Sequence, residues 1–106
     1  GCQVNNAFHY DFRMIKTFAD PATAAVFVRQ PTRRFAADWL PVARRKLDQL
    51  HQSKCLEDLR VPPGNRLEKL DKDRAGQYSI RINDQWRICF EWRDGSAWEV
   101  EIVDYH

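Results

Sequence analysis

Hydrophobic and polar residues alternate most regularly over the thirty residues from Gln77 to His106, QYSIRINDQWRICFEWRDGSAWEVEIVDYH. Three runs of period two are separated by Asn83-Asp84 and Asp94-Gly95, residue pairs suited to tight hairpins. Tyr78, Ile80 and Ile82 share one parity, as do Trp86, Ile88, Phe90 and Trp92, and then Trp98, Val100 and Ile102. Successive strand side chains point to opposite faces, so these ten residues are expected to line the buried face of a three-stranded antiparallel sheet. The other face carries Ser79, Arg81, Arg87, Cys89, Glu99, Glu101 and Tyr105 and is expected to be wet.

Upstream the pattern changes to helical spacing. Residues 1–13 have no sustained period and read as an extension or cloning remnant, with the regular unit running from 14 to 106. Ile15 to Ala19 suits a short strand. Asp20-Pro21 then supplies a helix cap and a proline for the first turn, opening a helix over Ala22 to Val28. A second helix has Asp38 as its expected cap, Pro41 in its first turn, and an apolar stripe of Trp39, Ala43, Leu47 and Leu50. Arg44, Arg45 and Asp48 lie off that stripe, toward water or a ligand. Val61-Pro62-Pro63-Gly64 forces a turn, and Arg66 to Leu70 reads as one further strand. The expected architecture is α+β: two N-terminal helices packed on one face of an antiparallel sheet, in the order β-α-α-β-β-β-β.

Composition narrows what this scaffold can do. The chain has 106 residues, enough for one domain with a single core. Its three cysteines are widely spaced, without a CxxC or Cys/His pattern; this argues against a zinc site or a disulfide framework and fits a reducing compartment. No apolar run reaches the ~20 residues of a membrane span, and no signal-peptide pattern opens the chain. Net charge is only +2, but residues 1–56 carry nine Lys/Arg against four Asp/Glu, and residues 57–106 eight against eleven. Between Arg29 and Lys46 there are six basic residues and one acid. That cluster is read either as a solvated face or as a surface for RNA or an acidic protein segment.

There is no Gly-rich phosphate loop and no nucleophile elbow, and His9, His51 and His106 do not pair at metal-ligand spacing. The clustered groups are cationic: Arg66, Lys69, Lys72, Arg74, Arg81 and Arg87. With Asp104, Tyr105 and His106 they offer donors for phosphate and groups able to move protons. Ordinary surface charges paired with Glu99 and Glu101 are the plainer reading of the same residues.

Leu67, Leu70, Asp73-Arg74, Gly76, Tyr78-Ser79-Ile80, Trp86-Arg87-Ile88 and Asp104-Tyr105-His106 fall in an order and spacing that resembles the HigB-type branch of the RelE/ParE toxin superfamily. The resemblance covers Met14 to His106. It implies a RelE-like fold and a cytoplasmic endoribonuclease that cuts mRNA in the ribosomal A site without metal or other cofactor. It also implies a HigA-like helix-turn-helix antitoxin, through which alone operator DNA would be contacted, and no membrane partner. Arg87 corresponds to the phosphate-contacting arginine, and Asp104, Tyr105 and His106 to the C-terminal catalytic cluster. Lys72 and Arg74 would sit near the scissile phosphate, with Arg66, Lys69, Arg81, Arg44 and Arg45 as RNA-binding cations and Glu68 as a substitute base. Related chains read Leu-Lys-Gly-Asp-Arg where this one has Leu70-Asp71-Lys72-Asp73-Arg74. In extended backbone the one-place displacement reverses the lysine's face and implies a slower enzyme. Within the superfamily, a ParE-like gyrase inhibitor and a non-catalytic RNA- or antitoxin-binding module are the alternative functions.

Overall fold

The computed structural model describes residues 15–36 and 38–104. Two helices, α1 (Pro21–Phe27) and α2 (Leu40–Gln52), precede four strands: β1 (Glu68–Lys69), β2 (Gln77–Arg81), β3 (Trp86–Arg93) and β4 (Ser96–Asp104). The strands pair antiparallel in sequence order, β1-β2-β3-β4. Short 3-10 turns at Leu56–Arg60, Pro63–Asn65 and Lys72–Arg74 join the helical half to the sheet. The α+β architecture is the one the hydrophobic pattern predicts.

Local chemistry explains most boundaries. Asp20 caps α1, its Oδ1 accepting from the Thr23 N–H at 2.7 Å, and Pro21 occupies the first helical position. Pro41 lies in the first turn of α2, as expected, but Asp38 does not cap that helix. The cap position is Trp39, which makes no side-chain capping bond. Proline has no N–H, so this first turn presents one orphan donor fewer. Trp39, Ala43, Leu47 and Leu50 are all buried, as their spacing requires. Asp94 (φ 53°) and Gly95 (φ 74°) take the positive φ of a two-residue hairpin turn whose twist matches its strands. At the other hairpin the strands stop at Arg81 and resume at Trp86, leaving a longer loop closed by Asn83 Oδ1, which accepts from the Gln85 and Trp86 N–H groups.

The core lies between the helices and one sheet face. Ile80, Ile82, Ile88, Phe90, Val100 and Ile102 are buried there, with Tyr78, Trp86 and Trp92 half-buried against them. Trp98 departs from the expected ten. Cys89 pairs with Glu101, but Glu91 pairs with Trp98, so β4 has one extra residue opposite Phe90. The bulge contains Glu99 at φ 52° and reverses parity on its N-terminal side. Ala97 therefore turns into the core, while Trp98 turns to the opposite face under the Arg93 guanidinium, 4.5 Å from its ring centroid. Phe35, for which periodicity gave no signal, is buried in a triad with Trp39 and Trp86, the two indoles stacked 5.0 Å apart.

The expected strand at Ile15 to Ala19 is reduced to two parallel bridges on β4, Ile15 to Ala97 and Phe18 to Val100. The bulge between those bridges interrupts a regular ladder. Thr17 bonds to it instead: its Oγ1 accepts from the Glu99 N–H at 2.8 Å and donates to Glu99 Oε2 at 2.7 Å, and its carbonyl accepts from the Val100 N–H. Farther along the same edge the buried Thr23 hydroxyl accepts from the Ile102 N–H at 3.0 Å. The expectation of no disulfide also needs correction. Cys55 is disulfide-bonded and Cys89 is a free buried thiol, because spacing along a chain does not limit proximity in the fold.

Phe90→Ala should lower unfolding stability by about 3–5 kcal/mol in urea titration, since a fully buried ring is removed from a close-packed layer. Thr23→Val keeps the side chain's shape but leaves the Ile102 N–H without its acceptor. It should cost about 1–3 kcal/mol, and Thr23→Ser should recover much of that loss.

Candidate active site on the open sheet face

On the face turned away from the helices, cross-strand pairing lines up Glu68, Ser79, Cys89 and Glu101 in one row across all four strands. Arg81, Arg87 and Val103 form the neighbouring row. Sequence parity places these residues on this face, but the expectation that all of it is wet fails at its centre. Ser79 and Cys89 are both 0% exposed. Burial pushes the Cys89 thiol above its ordinary range; Arg74 and Arg87 oppose that rise, while Glu101 and Glu68 add to it.

Arg87 reaches from β3 across β2. Its Nε donates to Ser79 Oγ at 2.7 Å, and its Nη2 to the Arg66 carbonyl at 2.6 Å. Arg74, in the turn before β2, donates to Gln77 Oε1 on β2 at 2.9 Å and to Glu101 Oε1 on β4 at 3.3 and 3.4 Å. Since those strands flank β3, the Arg74 guanidinium lies above β3, the strand that carries Cys89. The turn at Leu70 to Arg74 borders an open cleft of about 420 Å³. Among the described residues the face thus includes the guanidinium groups of Arg74, Arg81 and Arg87 and the carboxylates of Glu68 and Glu101, with a cleft bordered by Arg74, a set able to bind a phosphodiester and exchange protons with it.

The remaining predicted residues divide. Arg66 is exposed with a left-handed backbone (φ 47°), and its carbonyl, not its charge, engages Arg87. Lys72 is exposed at φ 54° in a 3-10 turn that lines the cleft, so the strand-parity argument about its displacement does not apply. Arg81 shares the face of Arg87 and is ion-paired with Asp84. Lys69 pairs with Tyr78 and so has the opposite parity. Arg44 and Arg45 sit on α2, in the layer across the sheet from Arg87. Asp104 pairs with Trp86 on the helix side, where its Oδ2 accepts from Gln85 Nε2 at 3.1 Å. Tyr105 and His106 lie outside the described residues, as do His9 and Tyr10.

The basic run from Arg29 to Lys46 is partly neutralised by acids that precede or follow it. Arg29 forms a two-pronged contact with Asp48, at 2.6 and 3.3 Å, which raises the arginine's pKa, and Arg34 lies 3.7 Å from Asp20. Lys46, the last cation of that run, departs from the expected solvated or ligand-facing surface. It is buried, and its ammonium donates to the Arg81 carbonyl at 2.5 Å. Burial first, and then the fields of Arg45, Arg81 and Arg87, hold its pKa below the usual lysine value. The available signal was its place next to Leu47 on the α2 apolar stripe.

The family described as RelE-like toxin of type II toxin-antitoxin system HigB matches residues 10–106. A Vibrio cholerae protein named Toxin HigB-1 is 49% identical over 53 residues, covering 50% of this chain and 56% of that protein. A Proteus vulgaris protein named Endoribonuclease HigB is 39% identical over 41 residues, 39% of this chain and 45% of that one. The chain spans about half the length of the curated relatives it matches. A solved YoeB-YefM complex from Staphylococcus aureus shares the fold, aligning over 87% of this chain and 97% of that chain with TM-score 0.50 and 19% identity. With nearly the whole chain matched, from residue 10 to its last residue, this protein belongs to the RelE-like HigB toxin family of type II toxin-antitoxin systems.

Proposed function

We propose that this chain is an endoribonuclease that inhibits translation by cutting mRNA on the ribosome, and that a HigA-like antitoxin restrains it. The observation that carries the reading is the pair of guanidinium groups, Arg74 and Arg87, held on one sheet face, with Arg74 at the border of an open cleft. The Proteus vulgaris relative named Endoribonuclease HigB points the same way.

The chemistry that suits these groups is internal attack. A ribose 2′-oxygen loses its proton to a base and bonds to the adjacent phosphorus. The bond to the 5′-oxygen breaks, and an acid protonates that oxygen, leaving a 2′,3′-cyclic phosphate and a 5′-hydroxyl. Arg87 stabilises the negative charge that accumulates on the non-bridging oxygens. Arg74 joins it when incoming phosphate competes with Glu101, its partly exposed partner at 3.3 Å. Histidine changes charge near neutral pH, which suits His106 to one proton transfer, and the other is assigned to the exposed carboxylate of Glu68. Tyr105 stacks on a base and Lys72 approaches the phosphate from the cleft side. The proton-transfer roles are met by side chains, so the scheme runs without metal.

Arg87→Ala should slow single-turnover cleavage of mRNA on a programmed ribosome by about 10²–10³, the scale of one preorganised donor, with ribosome binding little changed. His106→Gln keeps a polar side chain without a proton to shuttle and should slow the same step by about 10²–10⁴. Wild-type rates in both variants would reject the assigned roles. Intact transcripts alongside arrested DNA supercoiling after induction would replace the nuclease with a gyrase poison.

A further inference from the structure

Neutral oxygens of Ser79 and Arg66 anchor the Arg87 guanidinium. Nε donates to Ser79 Oγ at 2.7 Å; Nη2 donates to the Arg66 carbonyl at 2.6 Å and, at 3.4 Å, to the Ser79 carbonyl. Such acceptors orient a guanidinium by fixed, directional hydrogen bonds. The acceptors are themselves built into the fold. Ser79 is 0% exposed in the middle of β2, fixed between its partners Glu68 and Cys89. Arg66 closes the 3-10 turn Pro63–Asn65 in a left-handed conformation, its N–H bonded to the Pro63 carbonyl at 3.0 Å, and its own carbonyl reaches Arg87.

The geometry points to Ser79 as a positioning residue of the reaction: its buried hydroxyl, with the Arg66 carbonyl, fixes the plane in which Arg87 meets the scissile phosphate. An arginine on a strand has four side-chain torsions to restrict. Two anchored nitrogens at once define both the direction and the roll of the guanidinium plane, which decides how two N–H groups can be presented to a phosphate together. The hydroxyl need not touch RNA to act. This assignment rests on the nuclease reading for its consequence, though the anchoring itself is measurable without RNA.

Two readouts on the full chain separate the two ideas. In protein labelled with ¹⁵N-arginine, the Arg87 Nε–H resonance, assigned by its disappearance in Arg87→Lys, should exchange slowly with solvent in wild type and Ser79→Thr. It should exchange rapidly in Ser79→Ala. In single-turnover cleavage Ser79→Ala should be about ten- to a hundredfold slower than wild type, the scale of a misplaced reacting group. Ser79→Thr should restore most of the rate, and Ser79→Ala should add nothing further in an Arg87→Ala background. Unchanged Nε exchange in Ser79→Ala, or an equal loss of rate on the Arg87→Ala background, would overturn the assignment. If wild type cut no RNA while the Nε signal still followed the Ser79 hydroxyl, the anchoring would stand and the nuclease reading would fall.

Discussion

The hydrogen bonds that Thr17 makes to the bulge at Glu99 are the constraint on which much of this molecule depends. A non-glycine residue at φ 52° costs on the order of 1–3 kcal/mol, and it persists here because both the backbone and the carboxylate of Glu99 are engaged. The extra residue reverses parity, so small Ala97 instead of Trp98 enters the core beside Ile15. The Ile15 to Ala19 segment then leads directly into the Asp20 cap and α1. Thr23 on that helix accepts from the Ile102 N–H, covering a further part of the β4 edge. An uncovered edge strand would offer unpaired backbone groups to other chains. One local irregularity thereby sets the position of the first helix and protects the last strand.

The two faces of the sheet handle charge differently. On the helical side, Arg29 and Arg34 are matched by Asp48 and Asp20, and Lys46 passes through the apolar layer to end on the Arg81 carbonyl. Its buried ammonium and the nearby arginines raise the positive potential at that end of the sheet. On the open side, a neutral centre of Ser79 and Cys89 is flanked by Arg74, Arg87, Glu68 and Glu101. The Ser79 hydroxyl and the Arg66 carbonyl orient Arg87; in the proposed nuclease that orientation would spare the reorganisation of dipoles during reaction. Arg74 shares its charge with Glu101 and is the more adaptable of the two.

Much of the fold was legible in the sequence because its signals are short-range. Alternation over β2 and β3 located Ile80, Ile88 and Phe90 in the core; Asp20-Pro21 marked the start of α1; the stripe from Trp39 to Leu50 identified the buried face of α2; and Asp94-Gly95 named a turn by its backbone requirement. Parity likewise assigned Arg87, Ser79 and Arg81 to one face. Each inference needs only the stereochemistry of neighbouring residues. Tertiary structure decided everything that depends on which distant groups meet. The bulge occurs at a glutamate because Thr17, 82 positions away, supplies its partners. Asp104 faces the helix side beside Gln85, Arg66 contributes a carbonyl in place of its charge, and Lys72 occupies a 3-10 turn where strand parity has no meaning. Alternation can say which face a strand residue takes only while pairing stays regular, and a sequence does not show where one extra residue will be accommodated.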